Sequence, residues 1–224
     1  MQRLIGLSYL VTSLLASTVA LGQSQPNPIQ EHAHELSCLT FPPDLTESDL
    51  IERYGADNVS SAPVFGSDDG PQDGTVVFPD VEDMKLEINW AGLLRTGTPP
   101  SVDRTARPSW VRSQEYRSRW RTPHGIAVGM DLKTIERMNG RPFRLNGFVQ
   151  FGGDIASWGA GKLKSVDADD CKIRIILFPT SDGPRVPRWL VKQVHQHKEF
   201  SSGHPAMQAL NPRVVSIYVE PQRR

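Results

Sequence analysis

The chain has 224 residues, 25 basic and 25 acidic side chains, and two cysteines. A net charge of zero gives no overall pull toward nucleic acid, so no nucleic-acid partner is expected. The length suits one domain or two small units sharing a core.

The first element is an apolar run. Arg3 is followed by nineteen uncharged residues, Leu4 to Gly22, and Ala20-Leu21-Gly22 places small residues where a signal peptidase reads. Residues 1–22 read as a secretory signal peptide with Gln23 as the new N-terminus. The rival is an uncleaved anchor, since about 20 apolar residues span a bilayer, but Ser8, Thr12, Ser13, Ser17 and Thr18 weaken it. The expected product is exported, periplasmic or secreted, with no stable membrane insertion after cleavage. Residues 23–40 follow as a polar tether with a short helix near 29–39, stopped by Phe41-Pro42-Pro43.

Helix punctuation is clearest in two places. In LTESDLIERYG, Thr46 is an N-cap with Asp49 three residues on, Leu45 and Leu50 form a staple, and Gly55 ends the turn. In GMDLKTIERMNGRPF, Asp131 caps, Met130 and Ile135 staple, Gly140 closes and Pro142 blocks continuation. These glycines flank a helix, so the second stretch is no phosphate loop. SWGAGKLK is not one either, with Ala156 and Leu163 where glycine and Ser or Thr are required.

Strands are expected after each helix: 59–65, 74–78 and 84–90, then 143–151, 158–164 and 171–178. Met84, Leu86, Ile88 and Trp90 alternate with Lys85, Glu87 and Asn89, which predicts a half-buried strand. Cys171, Ile173, Ile175 and Leu177 share one strand face, as do Val215, Ile217 and Val219 near the C-terminus. A short helix is expected within 188–198. The order of helix then three strands occurs twice, which suggests an internal repeat. The expected fold is therefore α+β: a first helix-plus-antiparallel-sheet unit over 41–94, an Arg-rich linker over 95–122, and a second unit over 123–224, with the two sharing one sheet.

Cys38 and Cys171 invite a disulfide in an exported chain. Two separate buried thiols are the alternative.

GIAVGMDLKTIERMNGRPF, followed by Gly147-Phe148 and Trp158-Gly159, resembles an uncharacterised family of bacterial exported proteins. More distantly it resembles the β-lactamase-inhibitory-protein-like superfamily, which includes small outer-membrane assembly lipoproteins. The first helix departs from that pattern, with Leu45 in place of methionine after Pro43-Asp44. The resemblance implies tandem helix-plus-sheet units that bind other proteins through the sheet face without catalysis.

The chemistry-bearing residues are sparse. Gly-x-Ser-x-Gly, His-Glu-x-x-His and Cys-x-x-Cys are all missing from the sequence, so no catalytic residue, cofactor or metal site is assigned. His32/His34 and His195/His197 have spacing that can chelate on a strand, yet a site usually needs three or four ligands. Charge is unevenly spread: residues 44–87 hold twelve acids and two bases, while 95–121 hold seven arginines and two acids. The simplest reading is that these regions face each other. The binding reading selects Trp110, Arg112, Tyr116, Arg117, Arg119, Trp120 and Arg121, because arginine and aromatic residues dominate interface hot spots. In YRSRWR the three arginines would share one strand face. These features favour a non-catalytic binding or envelope-assembly module whose partner is another protein or an anionic envelope component. A hydrolase with carboxylates assembled in the fold, or an anion- or metal-binding protein, is the alternative.

Overall fold

Backbone pairing follows the strand alternation and assembles one sheet. The computed structural model describes residues 34–66, 71–91, 107–148, 152–165 and 171–222. The expected signal peptide, most of the tether, His32 and the strand end at 149–151 lie outside the described residues. The strands are β1 (Val59–Phe65), β2 (Pro71–Val77), β3 (Leu86–Ala91), β4 (Arg107–Ser113), β5 (Arg144–Asn146), β6 (Gly153–Ser157), β7 (Cys171–Phe178), β8 (Glu199–Ser201) and β9 (Arg213–Pro221). They lie in the order β1-β2-β3-β4-β9-β7-β6-β5-β8, each pair antiparallel. The helices are α1 (Glu47–Tyr54), α2 (Leu132–Asn139), α3 (Arg188–Val194) and α4 (Pro205–Leu210).

This corrects the α+β expectation of two tandem helix-plus-antiparallel-sheet units. A single nine-stranded antiparallel sheet dominates, and no described helix exceeds eight residues. Helix followed by three strands does recur along the chain, but both runs merge through the β4–β9 pairing. β4 itself forms inside the Arg-rich stretch 95–122.

Both punctuated helices form where their caps place them. The Thr46 and Asp49 side chains make the reciprocal capping box. Asp131 accepts from the Thr134 amide at 2.8 Å. Gly140 closes α2 in the left-handed region (φ 77°, ψ 0°), whereas Gly55 has positive φ with an extended ψ (86°, 147°) and turns the chain toward β1. The described part of the predicted 29–39 helix is a turn, with Glu35 bridged to Arg121.

The predicted strand at 158–164 is a turn instead, and Asn139 explains why. Its Nδ2 donates to the carbonyls of Arg141 (3.0 Å) and Trp158 (3.2 Å), while its Oδ1 accepts from the Leu163 amide (3.1 Å). A Cβ at Gly161 would sit 2.0 Å from that Oδ1, so glycine is what lets the turn close around the amide. The Trp158 carbonyl and the Leu163 amide are thereby taken by one buried side chain and are not free to extend a ladder.

One sheet face carries the core. Leu86, Ile88 and Trp90 of β3, Val111 of β4, Ile173, Ile175 and Leu177 of β7, and Ile217 and Val219 of β9 are buried there. Leu50 of α1, Leu132 and Ile135 of α2, Val194 of α3, and Met207 and Leu210 of α4 join the same cluster. Thr75 of β2 ties α1 to this face, donating to Glu47 at 2.8 Å and accepting from Trp90 Nε1 at 2.9 Å. Cys38 and Cys171 are joined in a disulfide, with Cα atoms 5.6 Å apart. The bond ties the segment containing the buried Leu36 and Phe41 to the start of β7. It is compatible with an oxidising, extracytoplasmic compartment. Among the described residues no helix is long and apolar enough to cross a membrane.

Candidate functional site: an arginine–aromatic row on the second sheet face

Residues that alternate with the core set point to the other face. The pairing register puts Glu87 of β3 opposite Arg112 of β4, Arg112 opposite Tyr218 of β9, and Tyr218 opposite Arg174 of β7. One row of side chains therefore crosses four strands at the middle of the sheet. In the neighbouring row Asn89 pairs with Trp110, and Glu220 pairs with Lys172. Directly opposed side chains are close enough to interact, and here nearly every pair does.

The Arg112 guanidinium lies against two rings, 5.1 Å from the Trp110 centroid and 5.6 Å from that of Tyr218. The two rings meet edge to face at 5.6 Å. The Arg174 guanidinium covers Tyr218 from the far side at 4.3 Å. Cations over aromatic faces are attracted by the ring quadrupole, most strongly where water is excluded. Arg112 Nε donates to Glu87 Oε2 at 3.0 Å, a second guanidinium nitrogen donates to the same carboxylate oxygen, and Nη1 donates to Tyr218 Oη at 3.1 Å. Gln114 completes the Glu87 carboxylate at 3.0 Å. Arg174 donates to Glu220 at 2.9 Å, and Lys172 approaches the other oxygen of that carboxylate at 3.7 Å.

Burial grades the row from fixed to accessible. The side chains of Arg112 and Glu87 are 8% and 10% exposed, against 27% for Arg174 and 59% for Lys172. Burial works to lower the Arg112 pKa, but the hydrogen bond and charge of Glu87, with a further contribution from Tyr218, outweigh it and leave it raised. Arg112 is thus a fixed cation holding two rings in place, while Trp110 and Arg174 offer partly open surface. Glu87 and Glu220 are each held by an arginine, which does not suit them as a free acid and base. Apolar side chains on this face, Val64 and Val76, are buried outside the main core cluster.

Of the residues selected from sequence, Trp110 and Arg112 stand in these two rows. The other five do not join them. Tyr116 is 55% exposed, with its ring against Gly129 and its hydroxyl accepting from Arg213 at 3.3 Å. Arg117 lies at positive φ (69°) with its guanidinium over Tyr116. Arg119 pairs with Asp83 at 2.7 Å. Trp120 is fully buried against Phe41, Tyr54 and His34, and donates to the Met84 carbonyl at 2.6 Å. Arg121 is held by backbone bonds to His34 and Leu36, and its side chain reaches an open hollow shared with His34 and Arg119. No strand runs through residues 114–120, so Arg117, Arg119 and Arg121 do not share a strand face. The acidic and basic stretches do meet, through Glu87–Arg112 and Asp83–Arg119.

The site residues that sequence reasoning missed are Tyr218, Arg174, Glu220 and Glu87. Their only signal was position: each alternates with core residues that the pattern had already assigned. Among the described residues, no group of three His, Cys, Asp or Glu stands close enough to hold a metal ion.

No family model, curated protein or solved structure matches the chain.

Proposed function

We propose that the chain is an exported, non-catalytic binding module that engages another protein through the second face of its sheet. The observation that carries this reading is the Trp110–Arg112–Tyr218–Arg174 stack. It is prearranged by cross-strand pairing, it lies opposite the helix-bearing core face, and its outer members are partly accessible. Tryptophan, tyrosine and arginine are the residues that dominate interface energetics, and rigid placement lowers the cost of ordering them on binding. The partner surface that fits is one offering carboxylates or carbonyls to Arg174 and Lys172 and an apolar contact to Trp110. Export is supported by the disulfide and by the apolar leader; delivery to the periplasm or to the medium belongs to the proposal.

The test is cross-linked capture from the envelope or secreted fraction with three baits: wild type, Trp110→Ala/Arg174→Ala, and Arg117→Ala/Arg119→Ala/Arg121→Ala. A partner held by wild type and by the triple variant, but lost by the double variant, supports the reading. Loss of two hot-spot residues weakens binding by about 30-fold or more. Equal capture by wild type and the double variant refutes the assignment of the face. A turnover abolished by one substitution refutes the non-catalytic reading.

A further inference from the structure

A second surface, remote in sequence from that stack, is built differently. In PRVPRWLVKQVHQHK, residues 184–198, there are four cations and two histidines and no acid. Helix α3 runs through the middle of it. At 100° per residue its inward side carries Leu190, Val191 and Val194, the last fully buried. The outward side then carries Arg188, Trp189, Lys192 and Gln193, all exposed. Trp189 is 62% exposed, on the face directed away from the core. Packing gives no account of an indole in that position, because alanine or lysine would serve the helix as well.

The charges are equally unaccounted for. The two nearest acids in sequence are already taken: Asp182 pairs with Arg213 at 3.3 Å and Glu199 with Arg144 at 3.1 Å. Among the described residues, Arg185, Arg188 and Lys192 have no ion-pair partner, and Lys198 rests its ammonium over the Phe200 ring at 5.2 Å. Four neighbouring cations with no ion-pair partner among the described residues concentrate positive potential there. A single exposed indole beside cations is the combination of anchors found at membrane–water interfaces, with the indole at the headgroup level and the cations on the phosphates.

We propose that α3 and its exit turn, residues 185–198, dock the protein reversibly on an anionic bilayer surface. A soluble polyanion would neutralise the cations but leave the indole without an apolar partner. The bilayer interface supplies both. The inference does not depend on the sheet-face reading, since no residue is shared.

The measurement is co-sedimentation of the full chain with vesicles of equal phosphatidylglycerol and phosphatidylcholine, and with phosphatidylcholine alone. Wild type is compared with Arg188→Gln/Lys192→Gln and with Trp189→Ser. All three carry the same N-terminus, so differences between them read α3 alone. These outward substitutions leave the core untouched, and circular dichroism confirms the fold. Each cation near an anionic surface contributes about fivefold to partitioning, so the double variant is expected to bind about 30-fold more weakly at low salt. The difference should vanish in neutral vesicles and shrink in 0.5 M salt, roughly three times the physiological ionic strength. Trp189→Ser should weaken binding at both salt concentrations. Equal partitioning of wild type and the double variant on anionic vesicles overturns the proposal. So does a difference of the same size on neutral vesicles, or binding to dextran sulfate that Trp189→Ser leaves unchanged while vesicles bind nothing.

Discussion

Reduction of the Cys38–Cys171 disulfide should remove a large share of the protein's stability. The cysteines are 133 residues apart. In the chain-entropy account, closing a loop of that length removes about 17 cal/mol/K from the unfolded ensemble, or about 5 kcal/mol at 25 °C. That is comparable with the whole stability of many domains. The native side contributes little to offset it. The Cα separation of 5.6 Å lies in the ordinary range for a bridge, and the segment beside Cys38 has its own anchors. Leu36 and Phe41 are fully buried, and the Leu36 amide bonds the Arg121 carbonyl at 2.7 Å. The native contacts of that segment therefore survive reduction, and the loss falls on the unfolded-state side.

The assay is urea unfolding followed by tryptophan fluorescence, with the bond intact, after reduction, and in Cys38→Ala. For a chain of this size the dependence on urea is about 2.5 kcal/mol per molar, so the midpoint should fall by about 2 M. Reduction and substitution should agree. A midpoint moving by less than about 0.5 M, with the intact bond verified by mass in the starting material, would refute the loop-entropy argument for this fold.

Three further outcomes follow from the geometry. Trp120→Ala should cost about 3–5 kcal/mol, lowering the thermal midpoint by about ten degrees or more, because the ring is fully buried; Trp120→Phe should cost about 1–3 kcal/mol through the abandoned Met84 carbonyl, and unchanged melting of both would contradict the structural role. Arg112→Ala leaves the Glu87 carboxylate buried without its partner and should cost about 3–5 kcal/mol in chemical denaturation, whereas Arg112→Met/Glu87→Leu should recover most of that loss. The Thr46 hydroxyl and amide hold the Asp49 carboxyl below its usual pKa, so this capping interaction stabilises the fold above about pH 4 and fades as pH falls through the lowered value; Thr46→Ala should cost about 1 kcal/mol at pH 7 and progressively less at pH 2–3, and an equal cost at both pH values would contradict the cap.

Local rules were legible and long-range closure was not. Caps and the 171–178 strand depend on residues within a few positions, and they form as expected. β4 was hidden because its sequence, RPSWVRS, carries an arginine and a serine at positions the sheet buries. Arg112 can occupy such a position only because Glu87, 25 residues earlier, arrives on β3 to neutralise it. The same closure explains the misreading of β3. Glu87 and Asn89 looked solvated, yet both are only 8% exposed, one beside Arg112 and the other beside Gln72, which accepts from Asn89 at 2.7 Å. The turn at 158–164 was lost to strand propensity for a related reason: its backbone is satisfied by Asn139, a residue on a helix that sequence marks only as punctuation.

The candidate site fails to show in sequence for the reason that makes it rigid. Composition pointed to the densest run of arginine and aromatic residues, 110–121, and only its first part reaches the sheet. Beyond Ser113 the run turns away, and there Arg119, Trp120 and Arg121 are committed to Asp83, Met84 and the His34–Leu36 backbone. The row at the sheet centre instead takes one residue from each of β3, β4, β7 and β9, separated by up to 131 positions (Glu87 to Tyr218). No local window could group them. What groups them is register: a slip of one residue in β9 would carry Tyr218 into the core and Ile217 onto the second face. The burial of Ile217 and Val219 therefore fixes where Tyr218 stands, and the apolar face, through register, positions the polar one.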